Sequence, residues 1–148
     1  MKLDSKDLKI LQILKENSNL TTSKISKKTA IPITTVHNRI KKLEKFEVIK
    51  NYTIVLDNKK IGRPLGAYIL ITVDYKILKE KGISQYNVAE KIKKFDFVED
   101  VSMITGQSDI IAKIRVKDID EASNFVTKEL RNIDGIEKTQ TLMILTEI

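Results

Sequence analysis

The chain of 148 residues has no cysteine. That removes disulfides, thiolate nucleophiles and Cys-based zinc sites. Its single histidine, His37, has no carboxylate pair near it. No metal site is expected there, which leaves a surface position or a phosphate contact. No apolar run approaches the ~18 residues that a membrane-spanning helix needs. The opening residues include Lys2, Asp4, Lys6 and Asp7 and no apolar core, so a signal peptide is not expected and the cytoplasm follows by default. The constellations of catalysis are missing too: no carboxylate pair, no nucleophile beside a base, and no glycine loop shaped for a phosphate. Neither enzyme activity nor a cofactor is expected. The segment 110–116 has no aromatic residue, which argues against a sheet that stacks RNA bases.

What the chain does have is positive charge, unevenly placed. Its composition, 41% hydrophobic and 32% charged with a net charge of +7, is that of a globular protein. Residues 1–60 hold 14 Lys/Arg and 6 Asp/Glu, giving +8, whereas residues 61–148 hold 13 and 14, giving −1. Neutralising phosphates releases counterions, so the first part is the one suited to nucleic acid. An AT-rich genome or a hot habitat also enriches lysine and isoleucine, present here at 23 each. Such a bias does not explain why the excess sits before residue 61. The expected division is therefore a DNA-binding domain over 1–60 and a second domain over 61–148.

The spacing predicts three helices at the start. Asp4, with Asp7 three residues on, is a helix cap, and Leu8, Ile10, Leu11 and Leu14 follow as an apolar stripe. Asn17, Ser18 and Asn19 stop that helix. Thr21 or Thr22 caps a short second one with Ile25 and Thr29 inward, and Ala30, Ile31 and Pro32 form a corner. The third helix runs from Ile33 to Lys45. Val36, Ile40 and Leu43 share one face with Ile33 beside them; the other face carries Thr34, Asn38, Lys41 and Lys45, flanked by Thr35 and Lys42. Short helix, corner and polar helix make the pattern of a helix-turn-helix, whose second helix lies in a DNA groove. Thr34, Thr35 and Asn38 suit base edges. Lys41 and Lys42 suit phosphates. Thr22 and His37 complete the candidate contacts. Arg39 flanks the buried stripe, so it either meets a phosphate or braces the fold. A solvated basic face on an ordinary amphipathic helix would look similar, and the short preceding helix with its corner is what favours DNA.

Residues 48–56 are β-branched and aromatic and read as a strand, the ribbon of a winged helix-turn-helix. A polar turn at 57–60 follows, and Gly62, Arg63 and Pro64 mark a hinge. Beyond it a strand is predicted at 68–75, a helix at 84–95 with Val88, Ile92 and Phe95 inward, and a strand at 97–105. A turn at Gly106, Gln107 and Ser108 leads to a strand at 110–116. A helix opens at Asp118 with Glu121 as its capping partner. Its stripe is Ile119, Ala122, Phe125, Val126 and Leu130. Asp134 and Gly135 end it before a last strand at 136–145. The order βαββαβ is that of the ferredoxin-like fold, so the fold class is α+β. Two helices cover one face of such a sheet. Tyr68, Leu70, Ile104 and Ile111 would lie on the other, which predicts burial by a second copy.

Over nearly its whole length the chain resembles the Lrp/AsnC (feast/famine) transcription regulators. The matching residues are Leu3, Asp4, Asp7, Ile10, Leu11 and Leu14; then Val36, Arg39, Ile40, Leu43, Glu44, Val48, Ile49 and Tyr52. Gly62, Ala67, Gly106 and Asp109 follow, and then Gly135, Ile136, Thr139, Thr141, Ile144 and Leu145. Their order and spacing are specific together. The resemblance implies DNA binding, dimers that assemble into tetramers or octamers, and an amino-acid effector held near the hairpin Gly106, Gln107, Ser108 and Asp109, with Thr139 and Thr141 close by. In such a site Gly106 would admit close backbone approach, Asp109 would pair an ammonium group, and backbone N–H groups would take a carboxylate. The same four residues also suit a plain hairpin turn. The chain departs from the family at Ala30, at Glu47 and Asn51, and at Ser108, where an aromatic is common. Glu47 tolerates positive φ poorly and is expected to cap the third helix less cleanly.

The expected function is a sequence-specific, double-stranded-DNA-binding transcription regulator, oligomeric and responsive to a small effector. The alternative is an architectural protein that coats DNA with little effector response.

Overall fold

In the computed structural model, which describes residues 2–147, Asp4 caps the first helix, α1 (Ser5–Glu16). Its carboxylate accepts the backbone N–H groups of Lys6 (2.9 Å) and Asp7 (3.0 Å), and Asp7 reciprocates by accepting the N–H of Asp4 at 3.0 Å. Thr21 caps α2 (Thr22–Thr29) through the N–H of Lys24. Ala30 turns the chain with φ 56°, and Pro32 leads into α3 (Ile33–Lys45). The core of this unit (Met1–Val55) is Ile10, Leu14, Ile25, Ile31, Val36 and Leu43. Two residues of the expected stripes lie outside it: Leu8 is 56% exposed and Ile33 45%. Helical spacing puts both near the apolar stripe, and each stands in the first turn of its helix.

The end of α3 is cleaner than expected. Glu47 takes φ 56°, its N–H reaches the Glu44 carbonyl (2.9 Å), and the N–H of Val48 reaches Leu43 (2.9 Å). These are the paired bonds of a Schellman cap, made with a glutamate in the place glycine favours. The strand expected over 48–56 does not form; among the described residues no strand precedes Leu65. A lone β-branched segment has no ladder partner in this chain, and Ile54 and Val55 stand 76% and 99% exposed.

The second unit (Leu56–Ile148) is built on β1 (Leu65–Val73), β2 (Val98–Met103), β3 (Ile110–Val116) and β4 (Ile136–Met143), paired antiparallel in the order β2-β3-β1-β4. That is the ferredoxin-like sheet. Between β1 and β2 lie α4 (Tyr75–Lys81) and α5 (Gln85–Lys93); α6 (Ile119–Asn124) runs on into a π turn (Phe125–Glu129) and a 3-10 turn (Leu130–Asn132) before β4. Sequence periodicity missed α4 because this short helix starts two residues after the strand's end, capped by Asp74 and stopped by Gly82 at φ 63°. Glu121 departs from the expected capping box: it accepts the N–H of Lys117, outside the cap residue Asp118. Ile119, placed in the core by spacing, is 69% exposed. It heads the first turn of α6, before the helix settles on the sheet.

Alternation on the central strands is strict. Ala67, Ile69, Ile71 and Val73 on β1 and Ile110, Ala112, Ile114 and Val116 on β3 are buried under the helices, sealed by Phe125 with Phe95 and Phe97 against its ring. The opposite face is open. Tyr68 (38%), Leu142 (43%) and Ile104 (37%) are exposed there beside half-buried Leu70 and Ile111. At one end of this face Arg115 lies flat over Gly66, where any side chain would meet its guanidinium at 2.6 Å. Glu99 (3.2 Å) and Glu147 (2.6 Å) hold Arg115, and Lys113 bridges the same two carboxylates.

Candidate DNA interface and effector hairpin

The outer face of α3 carries the DNA candidates on a rigid, capped helix. Thr34, His37, Asn38, Lys41 and Lys42 are exposed and Thr35 is half-buried. Lys41 comes within 4.0 Å of Glu44, the weakest of contacts; the other polar groups of the face have no protein hydrogen bond among the described residues. A helix surface lined with unspent donors, and with one acceptor-donor amide at Asn38, can read base edges in a major groove. Thr22 is set apart at the first turn of α2, where helix N-termini meet backbone phosphates.

Arg39 is the exception. Its Nη1 donates to both oxygens of Asp4 (2.8 Å each) and to Asp7 (2.7 Å), and only 24% of its side chain is exposed. The carboxylates hold the guanidinium charged, above its ordinary pKa, while the Asp7 backbone and then Arg39 hold Asp4 below the usual carboxylate range. Arg39 Nε is enclosed and has no hydrogen-bond partner among the described residues. A depression of ≈ 310 Å³ opens beside this cluster, lined by Lys2, Asp4, Thr35, Asn38, Arg39 and Lys42. Sequence reasoning read Asp4 and Asp7 as helix caps only. The usable signal was an arginine flanking a buried stripe, which demands a carboxylate nearby. A larger groove of ≈ 820 Å³ lies between the end of α1 and residues 48–55; its surface is mostly apolar, with Lys15, Glu16 and Lys50 among its lining residues.

The hairpin between β2 and β3 places Gly106, Gln107, Ser108 and Asp109 at the end of the sheet where β1 finishes. Asp109 is engaged throughout. Its N–H donates to Ile71 (2.9 Å), and its carbonyl accepts from Ile104 (2.8 Å) and from the Gln85 amide (2.6 Å). Its two carboxylate oxygens accept the Val73 N–H (2.9 Å) and the Tyr75 hydroxyl (2.7 Å). That last bond raises the Tyr75 pKa. The ammonium partner expected of Asp109 is thus supplied in part by the protein itself. Gly106, at φ 130° with nothing near its missing Cβ, is needed for its backbone angle, not for a close approach. Thr139 pairs with Ile71 and Thr141 with Ile69 on β4. Both therefore share the helix side of the sheet, separated from the hairpin by β1, about two strand spacings or ~10 Å. One copy of the chain does not gather all six residues into a single site. Tyr75 and Gln85, which fix the hairpin, were not anticipated. Among the described residues no group of His, Cys, Asp and Glu could hold a metal ion, and no helix is long and apolar enough to cross a membrane.

A helix-turn-helix with a polar outer face on its second helix, joined to a ferredoxin-like domain with an anchored hairpin, defines a two-domain DNA-binding regulator. Residues 3–50 match the family model for a winged helix-turn-helix DNA-binding domain, and residues 67–148 match that of the Lrp/AsnC ligand binding domain. The chain belongs to the Lrp/AsnC family of transcriptional regulators. An HTH-type transcriptional regulator of Pyrococcus furiosus is 36% identical over 146 residues, 99% of this chain and 95% of the relative. YugG of Bacillus subtilis is 35% identical over 145 residues, 98% of this chain and 86% of the relative. Among solved structures, a transcriptional regulator of Neisseria meningitidis in complex with L-Met superposes with a TM-score of 0.87 at 28% identity, covering 99% of this chain and 92% of that one. LrpC of Bacillus subtilis gives 0.84 at 28%, covering 100% and 98%. These relatives are transcriptional regulators, not enzymes.

Proposed function

We propose that this regulator reads a specific DNA sequence through α3 as a homodimer and that an amino acid modulates it in the cytoplasm. The carrying observation is the free polar face of α3 on a unit of net charge +8 over residues 1–60. Thr34, Thr35 and Asn38 take base edges, while Lys41, Lys42, His37 and Thr22 take the backbone. Two copies support the reading because one helix reads only half of a pseudo-palindrome, with half-sites about one turn (~34 Å) or a multiple apart. The exposed apolar face of the sheet and the unpaired segment 48–56 give such a copy surface to cover. The dimer further associates into a tetramer or octamer. A solution mass of 16.9 kDa at micromolar concentration would refute the dimer.

The effector reading rests on the hairpin Gly106, Gln107, Ser108 and Asp109 with Thr139 and Thr141, and on the L-Met bound to the Neisseria relative. The parts lie on opposite sides of β1, so the site closes between copies. Selection of bound duplexes from a random pool, with and without a mixture of amino acids, tests both halves. A short dyad-symmetric site whose recovery changes with amino acids is expected. Unenriched pools with continuous protection of DNA would replace this reading by the architectural one.

A further inference from the structure

We propose that Asp4, Asp7 and Arg39 form a positioning cluster that sets sequence discrimination, and that Arg39 does not itself hold a phosphate. The proposal rests on the reading of α3 as the DNA-contacting helix. Arg39 is held on the carboxylates of another helix, through a single nitrogen that serves three oxygens at 2.7–2.8 Å, whereas Lys41 comes only within 4.0 Å of Glu44 on its own helix. Asp7 is 6% exposed in its side chain, so the guanidinium is drawn inward. The atoms are shared. Asp4 Oδ1 accepts at once from Lys6 N–H, Asp7 N–H and Arg39, so the groups that start α1 are the groups that grip α3. Arg39 lies beside Asn38 and four residues beyond Thr35, and all three line the same depression. Fixing Arg39 therefore fixes how far α3 is rotated about its own axis, which decides where Asn38 and Thr35 point. Readout of a base edge demands that aim, because hydrogen bonds weaken steeply off axis. Binding to phosphates through flexible lysines does not. Asp4, with 54% of its side chain exposed, adds a negative group beside this face. It would repel a phosphate placed at Arg39, which is why the cluster suits aiming and not backbone contact.

The test uses the full chain, the duplex recovered from a wild-type selection and a random-sequence duplex. Asp4→Ser keeps a helix-capping oxygen but removes the carboxylate. It is expected to lower the specific-to-random affinity ratio about tenfold, the discrimination of roughly one base contact, without weakening random-duplex binding. Asp4→Asn, an equally good cap, should do the same. Arg39→Gln should lower the ratio alike and keep the wild-type dependence of log K on log salt. Helical circular dichroism at the assay temperature confirms that each variant is folded. An unchanged ratio in folded Asp4→Ser and Asp4→Asn overturns the proposal. So does a salt slope flattened by about one unit in Arg39→Gln, since that is the mark of a lost phosphate contact. Asn38→Ala separates the two levels of argument. If it leaves the ratio unchanged, the reading of α3 falls; if it lowers the ratio while the Asp4 variants do not, only the positioning role falls.

Discussion

The outer face of α3 and the hairpin at Gly106 handle polar side chains in opposite ways. On α3 the helix backbone satisfies itself, so Thr34, Asn38 and Lys42 remain free for a partner. At the hairpin the charged residue Asp109 serves its own chain, tying Val73, Tyr75, Ile71, Ile104 and Gln85 together. A reader of a long regular polymer needs many weak contacts on a stiff support. The proposed effector role of the hairpin calls for one loop held in a defined shape, and anchoring it consumes the polar groups of Asp109. The two units differ in the same sense: the first buries six core side chains, the second 15.

The largest break in this comparison should come from the smaller core. Ile25→Ala is expected to destabilise by about 2–5 kcal/mol and to abolish DNA binding. Melting of the second unit should stay in place, followed by a probe confined to it. A shift of that transition by the same amount would show that the units do not unfold separately. Next comes the hairpin. Asp109→Asn leaves the Val73 N–H and Tyr75 hydroxyl poorly matched and should cost about 1–3 kcal/mol in denaturant unfolding, with Tyr75→Phe costing about 1 kcal/mol. Losses this size confined to amino-acid affinity, with stability intact, would make Asp109 a ligand instead of an anchor.

Legibility in the sequence follows the same line. The three helices of the reader, the alternation on β1 and β3 and the overall βαββαβ order were plain, because each follows from local spacing. What escaped depends on distant partners. Residues 48–56 have every preference of a strand and no neighbour in the chain to pair with. Leu8 and Ile119 have the right spacing, yet both stand exposed in the first turns of their helices. For Arg39 the sequence left a phosphate contact and a structural brace both open, and the carboxylates of Asp4 and Asp7 that reach it lie 35 and 32 residues away; for Asp109 it left a ligand and a plain turn open, and Tyr75 lies 34 residues away.

Two smaller effects sharpen the contrast. Glu47, at φ 56°, carries a conformation that costs a side chain about 1–2 kcal/mol; Glu47→Gly should recover about 1 kcal/mol in thermal unfolding of the reader. No gain would mean that glutamate contacts offset the strain. In the sensor unit, Arg115 and then Lys113 hold the Glu147 carboxyl down from 4.5 to about 2. A depressed folded-state pKa gives stability that is complete above 4.5 and lost as pH falls toward about 2. Glu147→Gln should flatten acid unfolding across that window; an unaltered acid limb would show the pair to be without effect.

Asp4 has a consequence for the order of folding. Its bond to Arg39 closes a loop of 35 residues, whereas its bonds to Lys6 and Asp7 close none. One carboxylate thus takes part in both a local contact and a long-range one. In refolding kinetics, capping variants that spare the charge should slow the formation of α1. If the long-range contact forms after the transition state, variants of Arg39 should act chiefly on the unfolding rate; a matching loss in the folding rate would place it in the nucleus.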